Sequence, residues 1–470
     1  MRDDRFTSPD MAAAGISAGD DGIYRFVIVT LDAHAAGPAQ RVAGRLAKDF
    51  PGIRVSVHAA AEWAENPAAL ALARADVARA NVIVANLLFI EEHITAILPQ
   101  MQAVRHRLDA FAGMISDPQI VRLTRMGDVD MSVPASGAMA FLKKLRGNKT
   151  PSASSGEKQM ALLRRLPKIL RFLPGKAQDM RAWFLSMQYW LGGSDDNIEG
   201  MIRHLVSRYA ANRDWRRVRA APPVDYPDVG LYHPDVAGKV FTDAAQLPRP
   251  VQPVATVGLL MLRSYILASD TEHYDAVIRA FEARVLAVVA AFAAGLDGRP
   301  AIETYFAGRV DAMVSLTGFS LVGGPAYNDS PAAVATLQAL DVPYIAAHPL
   351  EFQTLGQWGR AGGGLGPVET TMLVALPEID GATNPTVFAG RHEAGGCTGC
   401  ARNCAGPSAE ALAARSMAPC TERVEALAEK VARMAGLRRS GVGERKVGVV
   451  LYGFPPNAGA AGTAAYLAVF

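Results

Sequence analysis

The chain has 470 residues, half of them apolar and a fifth charged, with 43 Gly and 29 Pro. That composition excludes collagen-like, disordered and small disulfide-stapled classes, and at roughly 150 residues per domain it has room for two to four domains. The 48 basic and 45 acidic side chains leave a net charge of +3, too little for a nucleic-acid footprint by itself.

The N-terminal stretch MRDDRFTSPDMAAAGISAGDDG places acids where a signal peptide needs a basic patch and an apolar core, so residues 1–22 read as a disordered tail. The longest unbroken apolar run, Val285 to Leu296, falls short of the about twenty residues that a bilayer requires. The expectation is a cytoplasmic protein without a membrane span and without a nucleic-acid partner.

From Tyr24 the chain alternates. YRFVIVTL reads as a buried strand, Ala39 to Phe50 as a helix, IRVSVHAA as a strand, Pro67 to Ala80 as a helix and NVIVANLLF as a third strand. Strand–helix repeats mean parallel crossovers, so 23–140 is expected to be a flavodoxin-like α/β domain. His34, Glu91, Glu92 and His93 follow these strands; they are either ordinary loop polarity or a ligand-binding rim at the carboxyl edge of the sheet.

Residues 141–223 form a basic, aromatic-rich linker and helical segment. Between Phe141 and Arg181 eleven Lys or Arg stand against Glu157 and Asp179, and PSASSGEK marks a loop. Leu162 to Arg208 is helical, with Trp183, Tyr189 and Trp190 close together. Aromatics so spaced fill a core or an interface, and a flat tetrapyrrole could stack on them instead.

A second α/β domain spans 224–395. VDYPDVGLYHPD, Val224 to Asp235, reads as an extended connector. TVGLLMLRSYIL is a strand entering a loop, Asp270 to Ala283 a helix capped by Thr271 or Asp270, and VLAVVAAFA the next strand. Pro300 to Phe306 is a short helix, VDAMVSLTGF a third strand, Pro331 to Leu340 a helix and VPYIAAH a fourth strand. Gly323 and Gly324, in the loop SLVGGPAYND, allow close backbone approach where such a sheet keeps its pocket.

Residues 396–444 are a cysteine-bearing helical segment. Cys397, Cys400 and Cys404 lie in C-T-G-C-A-R-N-C and Cys420 in M-A-P-C-T-E, and no other cysteine occurs. Such clustering points to metal rather than disulfide. Four thiolates complete a tetrahedral Zn site or hold a 4Fe–4S cluster, and the C-x2-C-x3-C spacing favours the cluster. His392 is a substitute ligand, and four free thiols are the alternative.

Residues 445–470 read as a strand, a Gly-rich turn and a helix near Thr463, the first step of a third α/β unit left incomplete. Gly462-Thr463 lacks the Lys of a phosphate loop, so no ATP site is expected there. The expected fold is therefore α/β: two flavodoxin-like parallel-sheet units joined by a helical basic segment, with the start of a third α/β unit truncated at the C-terminus.

Long strings add a resemblance. LDAHAAGPAQR, ANLLFIEEHITAILPQ, RRLPKILRFLPGKAQDMRAWFLSMQYWLGGSDDN, VSLTGFSLVGGPAYND, AAHPLEFQTLGQW and FPPNAGAAGTAAYL resemble the large, porphyrin-binding H subunit of magnesium chelatase. The bacteriochlorophyll-synthesising bacterial type is most similar, from about Tyr24 to Phe470. The resemblance implies that the chain holds protoporphyrin IX, as substrate, for Mg2+ insertion. AAA+ partners, the I and D subunits, would supply ATP hydrolysis. Trp183, Tyr189 and Trp190 would then stack on the macrocycle, with Arg164, Arg165, Lys168 and Arg171 facing its propionates.

Two departures qualify the implied activity. The family's large C-terminal body is missing, and Asn457-Ala458-Gly459-Ala460-Ala461-Gly462-Thr463 lacks two polar side chains of the usual turn. The chain is thus expected to be the N-terminal portion, inactive alone and without an identified catalytic residue. The alternatives are a non-catalytic tetrapyrrole or redox sensor with a four-Cys site, and a cobaltochelatase relative.

Overall fold

The computed structural model describes residues 22–31, 35–64, 66–133, 166–212, 214–324, 327–360, 364–393, 395, 404, 406–414 and 416–448. His34, Arg164, Arg165, Cys397, Cys400 and the expected third unit from 449 onward lie outside these residues.

The first sheet is built from β1 (Tyr24–Thr30), β2 (Ile53–Ala59), β3 (Val82–Asn86), β4 (Ala110–Met114), β5 (Arg125–Met126) and β6 (Val129–Asp130). Its order is β2-β1-β3-β4-β5-β6. The first four strands are parallel, with Phe26 opposite both Val55 and Val82, and the last two form an antiparallel extension. Every residue of β1, β3 and β4 is buried, as in sheets with helices on both faces. The Pro67–Arg79 and Glu91–Val104 helices cover one face, packing Val77, Ile94 and Met101 on Val27, Ile83 and Phe111.

The other face carries the Ala36–Asp49 helix and two more, Lys176–Gly192 and Asp195–Tyr209. Trp183, Phe184, Ile202 and Leu205 pack there with Phe26, Ile28 and Val84. Over this stretch the basic segment is a layer of the first core, where a link between units was expected. Gly193, at φ 58°, ends the first of the two helices, and the Ser194 side chain accepts from Asn197 N to start the second. Asp179, one of the few acids in the basic stretch, is buried; it accepts from Arg208 Nη2 at 2.7 Å, Tyr209 Oη at 2.9 Å and Asp128 N at 3.0 Å. Those bonds tie the helix pair to the β5–β6 turn.

The second sheet contains β7 (Val229–Tyr232), β8 (Val240–Phe241), β9 (Ala255–Leu262), β10 (Leu286–Ala293) and β11 (Ala312–Ser315). A small ribbon of β12 (Gly323–Gly324) and β13 (Tyr327–Asn328) follows, then β14 (Tyr344–Thr354), β15 (Thr383–Arg391) and β16 (Met417–Pro419) complete the sheet. Its order is β16-β15-β14-β11-β9-β10-β7-β8, with the middle five strands parallel and β7, β8 and β16 antiparallel. The Glu272–Glu282 and Thr421–Arg439 helices cover one face through Tyr274, Phe281, Val424 and Leu427. Ile302, Phe306 and Ala333 cover the other.

Three local readings change. The expected connector at 224–235 contains β7, whose Val229 pairs with Ala293 of β10. After β9 the chain forms the Arg263–Leu267 helix where a loop was expected. Thr271 does start the next helix, but without a side-chain cap bond, because its hydroxyl meets Tyr232 Oη at 2.9 Å. The whole is a mixed α/β fold with two parallel-dominated sheets. Among the described residues no helix is long and apolar enough to cross a membrane.

Candidate functional site

In the second sheet β9 and β11 are neighbours whose onward connections run to opposite sides, and open α/β sheets place their crevice at the carboxyl ends of such a pair. The crevice is lined by Leu260 to Leu262 at the end of β9, Asp297 and Gly298 after β10, and Thr317, Phe319, Ser320 and Leu321 after β11. This is where SLVGGPAYND was expected to form a pocket, yet the enclosed space is about 20 Å³, roughly one water.

Its rim is tightly bound. The buried Asp380 accepts from Leu321 N at 2.9 Å and from Ser320 Oγ, which also bonds Asn328 Oδ1. Arg299 grips Asp297, Nη2 to Oδ2 at 2.6 Å. A Cβ on Gly298 would stand 2.8 Å from Leu260 Cδ2 and 3.2 Å from Leu321 O, so a side chain there would have to displace Leu260.

A larger cavity, about 150 Å³, lies at the carboxyl ends of β14 and β15 beside β16. Arg391, His392, Glu393, Cys404 and Cys420 are among its lining residues, so the fold brings together three of the proposed metal-ligating side chains. The antiparallel pairing of Ala389 with Pro419 sets Cys420 beside β15, its N–H donating to Phe388 O at 2.8 Å. His392 Nε2 approaches Glu272 Oε2 at 3.8 Å. Glu393 accepts from Arg360 Nη2 at 2.6 Å and Thr354 Oγ1 at 3.2 Å, and the Arg360 hydrogen bond holds its carboxyl below the usual range.

Nevertheless, among the described residues no three His, Cys, Asp or Glu are grouped so as to hold a metal ion. Cys420 is buried and Cys404 partly buried, and neither is in a disulfide. The expected Zn or 4Fe–4S group is therefore not supported by the ligands described, and no chemistry is assigned to it.

The aromatic candidates separate. Trp183 is 7% exposed, its Nε1 donates to Gly113 O at 3.0 Å, and its ring meets Phe184 edge-on at 5.1 Å. Tyr189 is 2% exposed and donates to Ala221 O; burial pushes its phenol up to about 12. Both rings serve the core, so neither offers an open face for stacking. Trp190 is half-buried.

The basic candidates Lys168 and Arg171 are exposed. Beside them stand Ile169 at 59%, Phe172 at 82% and Leu173 at 50% exposure, an apolar patch that the sequence reading missed. The signal was present in KILRFL, where apolar and basic residues alternate too quickly for a helix to bury one set and expose the other.

A family model described as CobN/Magnesium Chelatase matches residues 187–470, and one described as Domain of unknown function (DUF3479) matches 25–184. The magnesium-chelatase H subunit of Rhodobacter capsulatus is 70% identical over 450 residues, 96% of this chain and 38% of that protein. Its counterpart in Cereibacter sphaeroides is 68% identical over 457 residues, with the same coverage. The chloroplastic magnesium-chelatase subunit ChlH of Oryza sativa subsp. indica is 37% identical, over 84% of this chain and 28% of that one. The chain thus spans 38% or less of the length of these relatives. Among solved structures, the catalytic subunit of cobaltochelatase from Mycobacterium tuberculosis superposes with a TM-score of 0.48 at 18% identity, over 89% of this chain and 28% of that one.

Proposed function

The chain belongs to the CobN/magnesium chelatase family, and from that premise we propose that it is the N-terminal, porphyrin-handling portion of a magnesium chelatase H subunit. The observation that carries this reading is the identity shared with the Rhodobacter capsulatus protein along nearly the whole chain. In this reading the substrate is protoporphyrin IX, Mg2+ is the second substrate of the complete enzyme, and AAA+ partners, the I and D subunits, hydrolyse ATP in the cytoplasm. Insertion needs loss of two pyrrole protons and dehydration of Mg2+, an ion that releases water reluctantly. The residues described here contribute binding to that sequence of events.

Protoporphyrin is a flat apolar ring with two carboxylates at one edge. It calls for exposed apolar surface bordered by cations. Phe172, Ile169 and Leu173 with Lys168 and Arg171 offer that combination, and they replace Trp183 and Tyr189 as the proposed contact. Trp190, Arg164 and Arg165 remain proposed contributors. The parallel-strand orders, 2-1-3-4 in the first unit and the equivalent of 2-1-3-4-5 in the second, support reading both as flavodoxin-like.

Titration of protoporphyrin IX into the purified chain, followed by the shift of its main absorption band, tests the reading. Saturable binding is expected, weakened about tenfold or more when Lys168→Glu, Arg171→Glu and Phe172→Ala are combined. Absence of saturable binding would overturn it. No Mg2+ insertion is expected from this chain by itself.

A further inference from the structure

We propose that the carboxyl edge of the first sheet holds an oxyanion-binding site formed by Thr30, Asn86 and the opening turn of the Ala36–Asp49 helix. The inference is independent of the porphyrin reading. After β1 the chain passes to a helix on one face of the sheet, and after β3 to a helix on the other. Such a neighbouring pair leaves a crevice beyond its carboxyl ends.

Register places the two side chains together. Val29 lies opposite Ala85, so Thr30 stands beside Asn86 at the next position. Both continue the rows of Phe26 and Ile28, and of Val82 and Val84, which face the cluster that includes Ala35, Ala39 and Val42 of the helix. Alternation along a strand therefore turns both side chains toward that helix.

Neither residue has any exposed surface. Yet Thr30 Oγ1 and Asn86 Nδ2 have no hydrogen-bond partner among the described residues. Asn86 Oδ1 shares the N–H of Leu87 at 2.9 Å with Ile115 O, an orientation that leaves Nδ2 as the unused donor. Buried polar groups are ordinarily bonded, so these two unused groups call for a partner that the described residues do not supply.

The helix start makes the same demand independently. Ala35 to Ala39 are all buried, the cap residue Ala35 has no side-chain oxygen to offer, and the first turn holds no acid. Helix geometry leaves the N–H groups of Ala36 and Gly37 outside the intrahelical ladder, at the positive end of the dipole. A hydroxyl, an amide N–H pair and two backbone N–H groups can all donate. Their common complement is an acceptor-only group, a phosphate or a carboxylate.

The surrounding backbone is preset. Leu87 and Ile115 both take positive φ, 56° and 41°, and Leu87 N donates to Ile115 O at 3.0 Å. Leu88 N donates to Ser116 Oγ at 3.1 Å, fastening the turns after β3 and β4 to each other.

The test uses the whole purified chain, with inorganic phosphate and acetate as probes, read by calorimetric titration and by thermal unfolding. Wild type is expected to show saturable heat and a raised Tm with at least one probe. A larger effect of phosphate identifies a phosphate ester as the source, and an equal effect of acetate identifies a carboxylate. Asn86→Asp keeps the acceptor for Leu87 N but replaces the donor with negative charge, and should weaken binding about tenfold or more. Thr30→Val keeps the shape and removes the hydroxyl. Should Asn86→Asp fail to fold, loss of the anion-induced Tm rise in Thr30→Val decides the matter. A wild type indifferent to both anions, or variants that respond as wild type does, would overturn the proposal and leave ordered water as the partner.

Discussion

Gly113 sits in β4 with no room for a side chain: a Cβ there would stand 2.5 Å from Ile120 O. Thr124 Oγ1 bonds both its N–H, at 3.0 Å, and its carbonyl, at 3.1 Å, and the Trp183 indole donates to that same carbonyl. Because the obstacle is backbone, Gly113→Ala is expected to cost about 2–4 kcal/mol in urea unfolding. Trp183→Phe removes one of two donors to the carbonyl and should cost about 1 kcal/mol. It should also leave protoporphyrin binding unchanged, whereas Phe172→Ala should weaken binding with little effect on stability. A weakened porphyrin titration in Trp183→Phe would return that indole to the binding surface. Asp380 poses the converse case. Asp380→Ala strands Leu321 N in a buried loop and leaves the Ser320 hydroxyl with Asn328 Oδ1 alone, a loss of about 1–3 kcal/mol that the same melts would register.

At the scale of elements, two buried histidines couple the fold to pH. His204, in the Asp195–Tyr209 helix, is pushed down to about 4 by burial and by nearby Arg208 and Arg181. His348, in β14, is pushed down to about 4 by burial. Both are neutral in the folded chain and take up a proton near pH 6.5 once unfolded. Their contribution is complete above pH 6.5 and is lost as pH falls toward 4, at about 1.4 kcal/mol per pH unit for each. Urea melts at pH 7, 6 and 5 should show this slope, and His348→Phe should reduce proton uptake on unfolding at pH 5 by about one. The same elements show what a sequence can reveal. β1, β3, β9 and β10 were legible because strands buried on both faces are continuous apolar runs. β4 was missed because AFAGM is short and contains Gly, and β7 because prolines flank it. β15 escaped because its first three residues, Thr383 to Pro385, are exposed and polar or cyclic while the next six are buried. Aromatic spacing identified Trp183 and Tyr189 but could not say whether their faces were covered, since that depends on a helix docking to a sheet distant in sequence. The clustering of His392, Cys404 and Cys420 was legible as spacing; their common cavity required the β15–β16 pairing.

Across the whole molecule, the family matches part between 184 and 187, inside the Lys176–Gly192 helix. The first hydrophobic core draws on both sides of that division, with Phe26, Ile28 and Trp183 packed against Ile202 and Leu205. A piece ending at 184 should therefore expose apolar surface and aggregate, while one ending at 222 should give a folded near-ultraviolet dichroism spectrum; a folded 1–184 piece would contradict the shared core. Arg41 joins the units as well, pairing with Asp195 at 2.6 Å and donating to Ala268 O at 2.6 Å. Arg41→Ala should change global stability by less than about 1 kcal/mol yet speed proteolysis near 219–224. The flanks of the second sheet have a further consequence. Its outer strands are short and antiparallel, β8 on one side and β16 on the other. On β16, Pro419 has no N–H to offer and Met417 N is already engaged by Asp270 Oδ1 at 2.9 Å. Both borders are short and that of β16 has its N–H groups at 417 and 419 spent or absent, which disfavours growth of a ribbon from chain to chain, so concentrated solutions of the folded protein should resist fibril formation through this sheet.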